Sequence, residues 1–335
     1  MINILFTLSF LLWIIKSDDY NCSTPIGGDR RINKDRIRLM QYNVEWLFID
    51  YYSNSDCPGD GCTWKNITHA EDHMNKVGDV IREVDPDIIN ICEIEGCDEL
   101  NILRNITNND YRGYLIKGTD TSTGQNVGIM TKIDPIYNLS RTDNKFTYPI
   151  EGSNCGYDGS GSTSVSKNYI SYFNWNNIKV ALIGFHLIAY PTKEDRCSKR
   201  EAQAKIIEEE IIENIKKGYE IIAMGDFNDY DEEVLDINNS EPISKVLDII
   251  KGYYNDVYEL SNLNKFVTKD SRFTNWWDKN ENCESTMDEF VLLDHILVTE
   301  GLLRMVKNVE IYHNYNENCD KLDSDHYPVI VDFEL

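Results

Sequence analysis

Short apolar runs recur along the chain and are separated by polar or amphipathic stretches. Runs of this length, bounded by polar residues, are typical of strands that are buried within a sheet. We therefore predict eight such strands. They cover residues 37–42, 88–91, 127–131, 169–173, 179–185, 221–224, 290–298 and 329–333.

Two longer stretches, 71–84 and 199–217, predict helices. Each follows a Ser/Thr-x-x-Glu sequence, the capping box that satisfies free N–H groups at the start of a helix. In the second stretch Ala202, Ile206 and Ile207 form one apolar stripe opposite a charged face. Strands with amphipathic helices between them predict an α/β fold in which two sheets pack together and helices cover their outer faces. The two capping boxes are Thr68-His-Ala-Glu71 and Ser198-Lys-Arg-Glu201.

The beginning of the chain has a different pattern. Residues 2–15 are almost wholly apolar, yet at about 1.5 Å per residue they are too short to cross the ~30 Å hydrocarbon core of a bilayer. We predict a secretory signal peptide over residues 1–17, a polar arm over 18–35 and one domain over 36–335. The alternative is an uncleaved anchor or a buried N-terminal strand. On the first interpretation the mature protein is secreted.

Nine cysteines agree with export, because thiols pair in oxidising compartments. The odd number leaves at least one unpaired, so we predict up to four disulfides and expect Cys92, inside an apolar run, to be the buried free thiol. Cys57 and Cys62 flank a tight loop that a disulfide could close, but the connectivity does not follow from the sequence. Five Asn-X-Ser/Thr triplets are candidate glycosylation sites in an exported protein. They begin at Asn21, Asn66, Asn105, Asn138 and Asn238.

The charge of the chain restricts its partners. Against 33 Lys and Arg stand 57 Asp and Glu, which gives a net charge of −24. A protein of this charge does not bind nucleic acid through a broad basic face. An enzyme that contacts phosphate locally, through a metal ion and a few basic side chains, is still compatible with it.

Polar residues that can bind a metal ion or transfer a proton stand at the ends of several predicted strands. Carboxylate and amide oxygens suit Mg²⁺, Mn²⁺ or Ca²⁺, and histidines beside carboxylates suit proton transfer near neutral pH. Metal-assisted hydrolysis of a phosphate ester requires this combination, and we expect these strand ends to converge in one cleft. The stretches are Asn43-Val-Glu45, Glu93-Ile-Glu95, Gly184-Phe-His186, Asp226-Phe-Asn228, Asp294-His295 and Ser324-Asp325-His326.

Three of these stretches have distinctive sequence motifs: GDFND at 225–229, LLDHILV at 292–298 and SDHYPV at 324–329. With their order along the chain, they resemble the endonuclease/exonuclease/phosphatase superfamily of metal-dependent hydrolases, over nearly all of the chain from Ile37. The resemblance implies a four-layer α/β/β/α sandwich with two packed, mostly antiparallel sheets. It also implies hydrolysis of a phosphate ester in one step, with water attacking in line and Mg²⁺ as the expected cofactor.

The resemblance also implies roles for individual residues. Asn43, Glu93 and Asp325 match the metal site, with Glu95 as a rival of Glu93. His186 matches the histidine that protonates the leaving group, Asp226 and Asn228 match the pair that positions the water and the phosphate, and Asp294 matches the residue that orients His326. Either His326 or Asp226 is the general base.

One departure concerns His186. In pancreatic-type deoxyribonucleases a glutamate pairs with the equivalent histidine, but here the matching strand offers only Gln125 and Asn126.

Two basic residues are candidate substrate contacts. Lys167 lies where some relatives place a phosphate-binding arginine, the alternative being a solvated loop lysine. Arg200 opens a helix after the His186 strand and either reaches the rim of the cleft or has a structural role.

Three functions fit these observations. The first is a secreted nuclease, in which a monomer cuts DNA or RNA; the wording GDFND and SDHYPV favours it. The second is a sphingomyelinase- or inositol-phosphatase-like enzyme that acts on a lipid headgroup. The third is a catalytically inactive binding protein of the same fold, which is disfavoured because the motif positions are filled except for the partner of His186.

Overall fold

The computed structural model describes residues 22, 24–48, 66–107, 110–314 and 323–335. Within them the chain forms fifteen strands and five α-helices. The helices are α1 (Ile67–Val84), α2 (Cys97–Thr107), α3 (Glu194–Lys216), α4 (Val246–Lys251) and α5 (Glu300–Leu303). The strands are β1 (Arg36–Leu47), β2 (Ile88–Ile94), β3 (Arg112–Leu115), β4 (Asn126–Thr131), β5 (Lys145–Tyr148), β6 (Gly161–Ser164), β7 (Lys167–Trp175), β8 (Ile178–His186), β9 (Glu220–Asp226), β10 (Leu260–Asn262), β11 (Asn275–Trp276), β12 (Phe290–Val291), β13 (Asp294–Thr299), β14 (Val306–Ile311) and β15 (Val329–Glu334).

Two large sheets carry most of these strands. The first has the order β14-β15-β1-β2-β4-β3 and the second the order β10-β13-β9-β8-β7. Each sheet contains one parallel pair, β1 with β2 and β8 with β9, and all its other pairs are antiparallel. Two hairpin-like sheets, β5-β6 and β11-β12, complete the described strands. The prediction of mostly antiparallel sheets is therefore confirmed.

The sheets pack face to face and are covered by helices. Side chains such as Leu39 of β1 and Met224 of β9 meet in the core between the sheets. On the outer face of the first sheet, Met40 packs with residues of α1 and α2. On the outer face of the second, Ala223 packs with Ile207 of α3 and with residues of α4. Successive residues of one strand thus serve different layers, and the four-layer α/β/β/α prediction is confirmed.

The two parallel pairs position the polar strand ends. A helix connects each pair, α1 between β1 and β2 and α3 between β8 and β9, so both strands of a pair end at the same edge of the sheet. Asn43 accordingly lies beside Cys92. Asp226 has His186 on one side and Asp294 on the other.

Both long helices begin earlier than the capping boxes predict. α1 begins at Ile67, with Asn66 as the N-cap whose side chain accepts from the His69 amide. α3 begins at Glu194. Ser198 is fully buried inside α3, and the carboxylate of Glu201 accepts from the Lys245 amide, 2.9 Å away. Both predicted starts are wrong: Asn66 caps α1 one turn earlier, and the Glu201 carboxylate binds a neighbouring segment instead of the start of α3.

The described part of the polar arm packs on the first sheet. Arg30 donates to Asp134 at 2.6 Å, and its amide donates to the Lys132 carbonyl. Arg31 is 6% exposed, and Cys22 forms a disulfide with Cys97. The arm is therefore held by charge pairs and a covalent bond, while residues 1–17 lie outside the described part of the chain.

The cysteines agree with an oxidised protein. Cys155 is joined to Cys197, Cys283 is also disulfide-bonded, and Cys92 is the buried free thiol, as predicted. Cys57, Cys62, Cys319 and the triplet at Asn21 lie outside the described residues. Asn66, Asn105, Asn138 and Asn238 are all exposed. Among the helices described, none has the length and apolar character needed to cross a membrane.

Candidate active site

The polar strand ends meet across the two sheets. Asn43 of the first sheet donates from Nδ2 to Glu93 Oε1 at 3.2 Å and to Asp226 Oδ2 at 3.1 Å. Asp226 belongs to the second sheet, so one amide connects both sheets at the centre of the cluster. The Asn43 Oδ1 atom accepts from the Glu45 amide at 3.1 Å.

Glu93 is fixed by several donors. Its Oε2 atom accepts from the Trp46 amide at 3.1 Å and from Gln125 Nε2 at 2.7 Å. The backbone of Glu93 has φ of 67°, a conformation that non-glycine residues rarely adopt. Such conformations persist where the surrounding contacts determine them. The Glu93 carboxylate is therefore held in one orientation.

Asp294 and His326 form a buried pair. His326 Nδ1 lies 2.6 Å from Asp294 Oδ2, and Gln41 donates to the other carboxylate oxygen at 3.0 Å. Burial alone would lower the pKa of His326, but the charges of Asp294 and Asp325 outweigh it and raise this pKa well above its usual value. The Asp294 carboxylate therefore favours the protonated form of His326 and sets the orientation of its ring.

Asp226 lies between the two histidines. Its Oδ2 atom is 3.5 Å from His186 Nε2 and 3.9 Å from His326 Nε2. Burial, together with the negative charge of Asp294, raises the pKa of Asp226 to about 7. The Asn228 amide donates to Asp226 Oδ1 at 2.8 Å. A carboxyl group with this pKa can accept and release a proton near neutral pH.

His186 has no carboxylate on its second nitrogen. Nε2 lies 3.9 Å from Glu93 Oε1, whereas Nδ1 is buried and has no partner among the described residues. Burial, followed by the charges of Lys167 and His326, lowers the pKa of His186 well below its usual value. The side chain is neutral. Gln125, which stands where deoxyribonucleases have the pairing glutamate, binds Glu93 instead.

The arrangement fits a divalent cation. Glu45 Oε2 accepts from the Asp325 amide at 3.2 Å, and burial plus the charges of Asp325 and Glu93 raise the pKa of Glu45 well above its usual value. Burial and the negative charges of Glu93 and Asp294 likewise raise the pKa of Asp325 to about 6. The Asp325 Oδ1 atom is buried and has no hydrogen-bond partner among the residues that the structure describes. Crowded hard oxygens of this kind suit Mg²⁺, Mn²⁺ or Ca²⁺.

The two predicted substrate contacts have different surroundings. Lys167 Nζ donates to Gln125 Oε1 at 3.1 Å and lies 3.8 Å from Asp120 Oδ2, so it stands at the edge of the cluster. Arg200 is 0% exposed and donates to Asp229 at 2.8 Å. Its other donors bind backbone carbonyls. Of the two alternatives for Arg200, this environment favours the structural role over contact with substrate, because its side chain is enclosed and occupied.

Sequence reasoning gave no role at the site to the residues beneath the cluster. Gln41 accepts from Asn90 Nδ2 at 2.5 Å while it donates to Asp294, and Cys92 Sγ lies 3.6 Å from the Phe185 carbonyl. Gln41 stands two residues before Asn43 and hence on the same face of β1. That spacing is a signal that could have found it.

No family model and no curated protein matches this sequence. Solved structures do match it. A truncated TDP2 from Caenorhabditis elegans is 15% identical, with a TM-score of 0.54 over 91% of this chain and 100% of that one. An endonuclease/exonuclease/phosphatase family protein from Bacteroides thetaiotaomicron is 15% identical, with a TM-score of 0.54 over 90% and 96%. TDP2 from D. rerio, solved with a single strand DNA product, is 14% identical, with a TM-score of 0.52 over 90% and 99%. The chain has the fold of these proteins.

Proposed function

We propose that this chain is a metal-dependent phosphodiester hydrolase that cuts nucleic acid. The observation that carries the proposal is the contact across the sheets: Asn43 holds Glu93 and Asp226 together, with the Asp294–His326 pair beside them. This places an anionic, oxygen-rich group next to two histidines and a carboxyl group of near-neutral pKa. Hydrolysis of a phosphodiester uses such a set of groups.

In this proposal Glu93, Glu45 and Asp325 hold the cation, which when bound neutralises charge on the phosphate. Mg²⁺ is the expected ion. Asp226 takes a proton from the attacking water, as its pKa of about 7 allows. The His326 imidazolium, held by Asp294, donates to a phosphate oxygen. In the same proposal Asn43 would bind the cation directly, and Asn228 would contact the phosphate.

His186 has a weaker role than in deoxyribonucleases. A neutral imidazole with an unpaired Nδ1 is not held as a strong acid. It donates a hydrogen bond from Nε2 to the leaving oxygen, which takes up the proton that Asp226 has removed from the attacking water; Asp226 Oδ2 lies 3.5 Å from Nε2. A carboxylate partner is not needed for that contact.

Two observations support nucleic acid as the substrate. The D. rerio TDP2 structure of the same fold was solved with a single strand DNA product. In addition, the motifs GDFND and SDHYPV resemble those of nucleases. A lipid headgroup is the second candidate.

We also propose secretion, which the disulfides Cys22–Cys97 and Cys155–Cys197 support because such bonds persist in oxidising compartments.

The test is a substrate panel with the purified protein: DNA, RNA, sphingomyelin and phosphoinositides, each with Mg²⁺, Mn²⁺, Ca²⁺ or EDTA. We expect cleavage of nucleic acid that EDTA abolishes. Glu93→Gln is expected to lower turnover at least ~10²-fold without loss of folding, and the exposed Glu310→Gln serves as the control variant. Full activity in EDTA or in Glu93→Gln would refute the metal site. A lipid substrate hydrolysed at least ~10-fold faster than any nucleic acid would refute the substrate class, since ~10-fold corresponds to about 1.4 kcal/mol of discrimination.

A further inference from the structure

The loop 187–193, which follows His186 and leads into α3, presents an aromatic ring in an unusual backbone conformation. Tyr190 has φ of 71°, in the left-handed region that side chains disfavour. Its side chain is nevertheless 41% exposed. Tyrosine in this conformation is uncommon outside functional sites, where surrounding contacts maintain the strain.

A buried arginine maintains this loop. Arg200 donates from Nη1 to the Ile188 and Tyr190 carbonyls, both at 3.2 Å, and from Nη2 to the Pro191 carbonyl at 2.8 Å. Its Nε atom donates to Asp229 at 2.8 Å. The loop is therefore ordered before any ligand binds, and the ring is presented at little further entropic cost.

The start of the loop belongs to the candidate active site. The Leu187 amide donates to the Asp226 carbonyl at 3.0 Å, and Asn228 Nδ2 donates to the Leu187 carbonyl at 3.1 Å. Tyr190 follows His186 by four residues, which an extended chain spans in at most ~14 Å. The ring thus lies within the reach of a group attached to a phosphate in the site.

A cation accompanies the ring. Lys193 Nζ lies 3.7 Å from the centroid of Tyr190, and this lysine is exposed. By contrast, Lys167 is bound by Gln125 and Asp120. An aromatic face beside an exposed ammonium is the arrangement with which proteins bind unpaired nucleotides, through stacking on the base and attraction of the phosphate.

We propose that Tyr190 and Lys193 form a subsite for an unpaired nucleotide next to the phosphodiester that is cut. The base stacks on the face of Tyr190 opposite Lys193, and the ammonium group contacts the neighbouring phosphate. The inference rests on the proposed function, and it narrows the substrate to single-stranded nucleic acid, because a base within a duplex has no free face.

Binding of a fluorescent eight-nucleotide DNA strand with phosphorothioate linkages, in Mg²⁺, tests the subsite. Tyr190→Ala is expected to weaken binding ~10- to 100-fold, since one stacked base contributes about 1–3 kcal/mol. Tyr190→Phe keeps the ring and is expected to bind like wild type. The matched control is Tyr137→Ala, which removes another exposed tyrosine, on the segment before β5.

A strand of equal length and charge that lacks all its bases separates stacking from charge. Tyr190→Ala is expected to change its affinity less than ~2-fold, whereas Lys193→Gln weakens both strands and reduces the salt slope by about 0.7. Equal losses on both strands for Tyr190→Ala, or none on either, would overturn the subsite, as would wild-type protein that binds neither strand. Tyr190-dependent binding without cleavage of an ordinary strand would instead refute the proposed function and leave the subsite standing.

Discussion

Four residues around the proposed cation site hold backbone conformations that side chains disfavour. Glu45, Trp46, Glu93 and Asn228 have φ of 48°, 50°, 67° and 50°. Each makes a contact to the cluster, such as the Trp46 amide to Glu93 and the Asn228 amide to Asp226. These conformations cost free energy of folding, and the contacts that maintain them fix the orientation of the carboxylates.

Asp294→Asn tests the orientation of His326. The buried carboxylate accepts from His326 and Gln41, and a neutral amide cannot stabilise the imidazolium. We expect turnover on the substrate found in the panel to fall ~10²- to 10⁴-fold, as for the corresponding change in other His–Asp pairs. Single-turnover kinetics in Mg²⁺ measure the effect, with the melting temperature as a check on folding.

The control is Asp288→Asn, which removes an exposed carboxylate six residues earlier in the chain. Turnover of Asp294→Asn within ~3-fold of wild type would contradict the assigned role, because that difference is less than 1 kcal/mol.

The sequence pattern predicted the candidate residues that lie in or just before a strand, and it left two roles open for Arg200. Asn43, Glu93 and Asp226 lie in β1, β2 and β9, and His326 lies three residues before β15. Arg200 lies within a helix, and the contacts that decide its role come from carbonyls of a loop and from Asp229. Those partners are set by tertiary packing, which a helical pattern does not reveal.

The central strands of the two large sheets were predicted, whereas of their four edge strands only β7 was. β2 and β9 are covered on both faces and read as continuous apolar runs. β5 and β14 lie at edges, alternate between exposed and half-buried or buried residues, and contain charged side chains. The predicted strand 290–298 is two strands, because Leu292 and Leu293 are buried between β12 and β13 without extending either ladder.

α4 is anchored by a buried ion pair that offers a test of element packing. Lys251 Nζ lies 2.9 Å from Asp231 Oδ1, and both side chains are at most 1% exposed. Lys251→Met is expected to destabilise the protein by about 3–5 kcal/mol, because an unpaired carboxylate remains buried. Denaturant unfolding at pH 7 measures this. Lys307→Met, which breaks the exposed pair with Glu334, is the control and is expected to cost about 0–1 kcal/mol.

The same pair has a defined pH dependence. Burial opposes ionisation, but the charge of Lys251 and the hydrogen bond from Asn262 lower the pKa of Asp231 below its usual value. Wild type therefore gains stability from Asp231 above the unfolded pKa and loses it as the pH falls through the folded pKa. In Lys251→Met, burial without the lysine raises the pKa of Asp231 in the folded protein above its unfolded value. Protonation of Asp231 in acid therefore reduces the destabilisation of the variant. We expect the difference in unfolding free energy to narrow from pH 7 to pH 4; an unchanged difference would contradict the pairing.

The charge of the molecule limits how it binds a polyanion. Lys167 and Arg141 are paired with Asp120 and Asp143, and the net charge is −24. About two phosphate contacts on a single strand give a slope of log affinity against log salt near −1.4. Fluorescence titrations between about 50 and 200 mM salt measure the slope.

Asp120→Asn should steepen this slope by up to about 0.7, because it frees the ammonium of Lys167 for a phosphate. Asp158→Asn, an exposed carboxylate in the loop between β5 and β6, is the control and is expected to leave the slope unchanged. A wild-type slope steeper than about −3 would contradict the estimate of two phosphate contacts, because it requires at least about four.

The first and last strands of the domain are neighbours in the middle of one sheet: Arg36 of β1 pairs with Glu334 of β15. β1 is synthesised before all the other strands of the domain, and its partner β15 is synthesised after them. The candidate site shares this dependence, since Asn43 and His326 come from the two ends. Pairing over such a separation is slow and completes late. A nascent or C-terminally truncated chain therefore lacks part of the candidate site, so the proposed activity would arise only after synthesis is finished.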